Sequence, residues 1–157
     1  MSDCLFCRIT SGAEPSWKIY EDADHLGFLT PYPNTPGFSV LVTKEHRDSN
    51  VLHLDQQQYL SMMLSARALA HRIEEKLGVA RVGLVIEGMG IDHAHVKLIP
   101  MHGIDGDVWK PIVAAETRFS DRYEGYLSTH DGPRMSDEEL FKIQRRLLQN
   151  TSHPGGV

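Results

Sequence analysis

Asp92-His93-Ala94-His95-Val96-Lys97-Leu98-Ile99-Pro100 is the stretch on which the fold turns. In an extended chain, residues i, i+2 and i+4 share one face. That alternation sends Ala94, Val96 and Leu98 into a core. It aligns His93, His95 and Lys97 on the opposite, outward face, each about 6.6 Å from the next. Two imidazoles and an ammonium side by side concentrate positive charge below about pH 6.5. An anion or a metal is therefore expected to offset them. A solvated sheet face with two incidental histidines is the bland alternative. It loses weight because a glycine turn, Gly88-Met89-Gly90, leads into the strand, Pro100 ends it, and Cys4-x-x-Cys7 and Lys44-Glu45-His46 lie upstream.

Working outward, Arg81 to Glu87 reads as the preceding strand. Before it, Asp55 to Leu77 reads as the main helix. Asp55 with Gln58 resembles a capping box, Leu60, Met63, Leu64, Ala70, Ile73 and Leu77 recur at helical spacing, and Gly78 supplies the stop. Phe38 to Thr43 reads as a central strand. Trp17 to Tyr20 and His25 to Leu29 form a hairpin around Asp22-Ala23-Asp24. Residues 4 to 9 read as a short helical turn. Ser136 to Gln149 reads as a helix with a Ser136/Glu139 box and a Met135–Leu140 staple. The tail, Thr151 to Val157, is expected to be disordered. The pattern predicts an α+β fold: an antiparallel five-stranded sheet with one long helix, and a C-terminal helical extension. Residues 1–110 are expected to form the domain, with 111–157 packed on it as the extension.

The chain has 157 residues and a formal net charge of −5, with 24% charged and 41% hydrophobic residues. These are the proportions of a single soluble domain. The negative charge argues against binding large nucleic acid, and no apolar run is long enough to span a membrane. No basic-then-apolar leader opens the sequence, so a cytoplasmic location is expected. Cys4 and Cys7 are the only cysteines. A free thiol pair, a redox motif and a metal site are the three readings of that spacing. The redox reading lacks the preceding strand that such motifs need.

Four segments together resemble the histidine triad family: Cys4-Leu5-Phe6-Cys7-Arg8-Ile9, then Leu26-Gly27-Phe28-Leu29, then Pro36 through Lys44-Glu45-His46, followed by the His93-Ala94-His95-Val96-Lys97 strand. Order and spacing agree over about residues 4 to 110. The resemblance implies a nucleotide phosphate hydrolase or nucleotidyl transferase. In it, the middle histidine, matched by His95, attacks phosphorus to form a covalent nucleotidyl-histidine. A small phosphate, phosphoramidate or dinucleoside polyphosphate would be the substrate. His93 and Lys97 flank the nucleophile, and Phe28, Leu29, Thr30 and Trp109 fall at nucleotide-binding places.

The resemblance also implies a structural Zn²⁺ held by Cys4, Cys7, His46 and His93 in a closed tetrahedral set. It further implies a homodimer with a continuous ten-stranded sheet. The chain departs from the family pattern at several points. Lys97 replaces the third histidine, Thr30 an aspartate, and Phe38 a histidine. The polar glycine segment before the strand is shortened to Glu87-Gly88-Met89-Gly90-Ile91-Asp92. These departures leave a nucleotide-binding protein of the same fold, with weak or no catalysis, as the second reading. His25 is expected on a strand surface, His53 and His102 in loops, and His71 on a helix face. Arg145 and Arg146 are expected to be solvated at a helix end.

Overall fold

A computed structural model describes residues 4–104, 106–107, 122 and 133–149 of the chain. The expected disorder of the tail, most of the expected loop over 116–134, and Trp109 fall outside these residues. The elements are α1 (Leu5–Thr10), β1 (Trp17–Glu21), β2 (His25–Leu29), β3 (Ser39–Thr43), α2 (Gln56–Leu77), β4 (Val82–Val85), β5 (His95–Pro100) and α3 (Asp137–Leu148). The strands form one five-stranded sheet in the order β1-β2-β3-β5-β4, and every neighbouring pair is antiparallel. This is the predicted α+β architecture. No helix among the described residues is long and apolar enough to cross a membrane.

Helix α2 begins and ends where its sequence directs. The Asp55 carboxylate accepts from the Gln58 amide, and Gly78 closes the helix in the left-handed region at φ 66°. Its buried face is Met62, Ser65, Ala66, Leu69 and Ile73. Leu60 and Leu64 belong to the apolar repeat of helical spacing, yet they are 50% and 65% exposed. Small residues, Ser65 and Ala66, are what the close approach to the sheet selects, so the apolar stripe lies rotated from the buried one. Leu140 and Leu147 of α3 enter the same core as Leu29, Leu41, Val96 and Leu98.

The opposite face of the sheet is also packed. Phe6 and Ile9 of α1 cover Leu26, Phe28, Val40 and Val42 there. A six-residue helix is too short to persist by itself. Burial of Phe6 and Ile9, about 1.5–3 kcal/mol for each side chain, helps to hold it down. This second core corrects the expected outward face. His93 is fully buried, His95 is 3% exposed, and only Lys97 retains moderate exposure. The strand also starts at His95 rather than Asp92, because the 91–94 backbone turns to bond Arg47 and Thr43.

His25 is the second correction. Expected on a surface, it is 2% exposed, with Nδ1 3.1 Å from both Asp22 Oδ1 and Ser65 Oγ. The residue alternation of β2 points it at α2. Burial raises the Asp22 pKa, but donation from the Ser65 and Tyr20 hydroxyls and the Asp24 and His25 amides outweighs it, bringing the carboxyl to about 2. A folded pKa below the unfolded value gives stability that is present above about pH 4 and lost as pH falls toward 2. Asp22 is partly exposed, and with solvent screening its contribution is about 1–2 kcal/mol. Urea melts from pH 5 to 2 are expected to show this loss in the parent. Asp22→Asn should lack that part of the pH dependence, and parallel curves would contradict the assignment.

Candidate active site and metal centre

Cys4 precedes α1, Cys7 lies within it, His46 follows β3, and His93 sits in the turn before β5. The fold brings one ligand atom from each to within 4.8 Å of the others. Cys4 Sγ and Cys7 Sγ stand 3.4 and 3.5 Å from His93 Nδ1, and Cys7 Sγ is 3.4 Å from His46 Nδ1. Tetrahedral zinc with these donors needs ligand atoms roughly 3.3–3.8 Å apart. The His93 Nε2–H donates to the Thr43 carbonyl at 2.7 Å, which leaves Nδ1 unprotonated for a metal. Burial lowers the His93 pKa and favours that neutral form. The group is compatible with a metal ion.

His95 lies two residues beyond. Its Nδ1 is 2.7 Å from the His93 carbonyl oxygen. A carbonyl only accepts, so Nδ1 carries the proton and Nε2 presents its lone pair. No hydrogen-bond partner occupies Nε2 among the described residues. Nor is it one of the solvent-sealed unpartnered side-chain atoms, which are Ser16 Oγ and Trp17 Nε1. The ring packs edge-on against Phe6, with centroids 5.5 Å apart, and Phe6 makes the same kind of contact with His93 and Phe28. Burial holds the His95 pKa below the ordinary histidine value. The nearby Lys97 charge acts in the same direction, and the bond to the His93 carbonyl opposes it.

On this face one cross-strand row runs Leu26–Val42–His95 and the next Phe28–Val40–Lys97. Lys97 forms an ion pair with Glu87, whose side chain is only 6% exposed. The charge that offsets Lys97 on this strand is therefore the Glu87 carboxylate. Gly88 beside it has φ +67°, and a Cβ there would stand 2.9 Å from the Ser49 carbonyl oxygen. Glycine thus lets the loop that carries Glu87 close onto the 49–50 backbone.

The nucleotide-binding candidates separate. Phe28 shares the His95 face but is buried under Phe6. Leu29 points the other way, into the core beneath α2, so its side chain cannot meet a ligand on the His95 face. Thr30 is half-buried, and its hydroxyl accepts from the Tyr32 amide. Trp109 lies outside the described residues. His102 is bonded to the Pro36 carbonyl at 2.9 Å. Sequence reading missed Phe6 and Glu87 as neighbours of His95. Phe6 was in view as part of a motif, and a lysine on a packed face was the signal for a nearby carboxylate, which lies just past β4 because that strand ends at Val85 rather than at the expected Glu87. An open cleft of about 480 Å³ lies on the α2 side, lined by His25, Thr43, Lys44, Arg47 and Gln58 among others, and does not include His95.

No protein-family model matches the chain. Protein hit of Bacillus subtilis (strain 168) is 31% identical over 116 residues, covering 69% of this chain and 79% of that protein. The crystal structure of a Zn-bound histidine triad family protein from Mycobacterium smegmatis is 20% identical, with a TM-score of 0.63 over 92% of this chain and 93% of that one. The adenylylsulfatase HINT3 of Arabidopsis thaliana is 27% identical over 104 residues, 63% of this chain and 52% of that protein. With the fold and the H-x-H strand, these place the chain in the histidine triad (HIT) family. Hydrolases are among its relatives.

Proposed function

We propose that the chain is a nucleotide phosphate hydrolase or nucleotidyl transferase acting through His95. The observation that carries this reading is the bond from Nδ1 to the His93 carbonyl, which fixes the Nε2 lone pair as the available nucleophile. Nε2 forms a bond to the α-phosphorus while the bond to the leaving group breaks, and the leaving group departs with its electron pair, taking a proton from solvent where it is an amine. Water then forms the new P–O bond as the P–Nε2 bond breaks, and its proton passes to solvent. Substrates are nucleoside phosphoramidates or dinucleoside polyphosphates. The adenylylsulfatase relative supports a nucleotide bound through its α-phosphate. The test is incubation with adenosine phosphoramidate and diadenosine polyphosphates, with mass spectrometry for an adenylylated His95. A second reading, binding without fast turnover, is favoured by one observation: the ion-paired Lys97 stands where the family has a titratable histidine.

Zinc is the ion proposed for Cys4, Cys7, His46 and His93. It would tie α1 and the 91–94 turn together, a structural role that fits a thiolate and imidazole set. The thiols imply a reducing compartment, the cytoplasm. The partner is a second copy of this chain. Among the described residues, strand β4 is an edge of the sheet, and Leu60 and Leu64 are exposed on α2. Leu60→Glu with Leu64→Glu is expected to convert a dimer to a monomer in light scattering at micromolar concentration. A parent that is already monomeric would rule the dimer out.

A further inference from the structure

Two departures from the family pattern meet in space. The third histidine has become Lys97, and the polar segment before the strand now begins with Glu87. The two side chains form an ion pair on the His95 side of the sheet. Val85 lies opposite Lys97 in the β4–β5 ladder, and Glu87, two residues past the end of β4, reaches Lys97 with its carboxylate. Both groups act electrostatically on the His95 ring, with opposite signs. The carboxylate is nearly buried while the ammonium keeps some exposure, at 6% and 17%. An isolated buried carboxylate is expensive, and so is an unpaired ammonium on a packed face. Each change therefore supports the other.

We propose that Glu87 is a positioning and specificity-determining residue, and that with Lys97 it forms one neutral hydrogen-bonding unit beside the nucleophile. This rests on the reading of His95 as the phosphorus-attacking group. An ammonium has three N–H donors. Glu87 takes one and fixes the direction of the others, which can bond a non-bridging phosphate oxygen. The carboxylate also cancels the lysine's charge. The site then supplies donors to phosphorus without adding net positive charge. It is matched to a phosphorus centre bearing one negative charge, as in a phosphodiester or phosphoramidate. It disfavours a terminal phosphate bearing two.

AMP and adenosine 5′-phosphoramidate test this, since they are nearly isosteric and at pH 8 carry two charges and one at phosphorus. Binding is measured by calorimetry in the His95→Ala background, where no covalent turnover intervenes. The phosphoramidate is expected to bind more tightly than AMP. Adding the isosteric Glu87→Gln should tighten AMP by about tenfold, about 1.4 kcal/mol, and change the phosphoramidate by less than about threefold. With His95 restored, Glu87→Gln should lower kcat, because Lys97 loses its fixed direction. Lys97→Met alone should weaken AMP more than Lys97→Met with Glu87→Gln, the non-additivity of a shared charge pair.

A merely structural Glu87 would weaken both ligands together when replaced. That result, or an unchanged AMP-to-phosphoramidate ratio, would overturn the proposal and leave the His95 reading standing. If neither nucleotide binds in the His95→Ala background, the reading of the site fails and this inference falls with it.

Discussion

His95→Ala is expected to reduce turnover of a nucleoside phosphoramidate by at least about 10³-fold and to abolish any adenylylated intermediate. Removal of a covalent nucleophile typically costs factors of this order or larger, because binding and positioning alone leave only residual rate. The fold should survive. The imidazole makes one hydrogen bond, to a neighbouring carbonyl, and packs against Phe6 in the smaller of the two cores. Truncation should cost about 2 kcal/mol from lost packing, a shift of a few degrees in melting temperature. His95→Asn, which can keep the Nδ1-side donor to the His93 carbonyl, should be as inactive and more stable than the alanine variant. A single-turnover assay with mass-spectrometric detection checks the first part and calorimetric melting the second. Full activity in either variant would remove His95 from the mechanism.

The chemistry of this site was legible in the sequence to the extent that it depends on local periodicity. Ala94, Val96 and Leu98 face the α2 core as the alternation requires. The caps of α2 at Asp55 and Gly78 were visible as residue types. What local pattern cannot reveal is what covers the other face. His95 was read as outward because nothing near it in sequence announces Phe6, almost ninety residues earlier, folding over it. Leu29 is the opposite case: alternation along β2 already turns it away from Phe28, which its place in a shared motif does not convey. The exposed Leu60 and Leu64 show that helical spacing gives a stripe but not its angle to the sheet. Glu87 and Lys97 became one feature only with the β4–β5 pairing, which sets Val85 opposite Lys97 and lets the loop just past β4 bring Glu87 onto the lysine.

Cys4→Ser is expected to lower bound metal from near stoichiometric to a small residue, and to lower the melting temperature by roughly 8–15 °C. That shift corresponds to about 3–5 kcal/mol for a chain of this size. The value should fall well below that of a peptide that folds only with its metal, because the sheet and α2 form a core that does not include the ligand cluster. The loss should be concentrated in α1, a single short turn of helix flanked by Cys4 and containing Cys7. Phe6 lies between those cysteines and touches both His93 and His95, so loosening α1 also releases the ring beside His95. Turnover is therefore expected to fall, but by about tenfold rather than the thousandfold of His95→Ala, since His95 keeps its bond to the 93 carbonyl. Elemental analysis of the purified parent and variant gives the decisive comparison. Equal metal in both, or a parent without metal whose melting point does not rise when zinc is added, would show that these four side chains meet for packing alone.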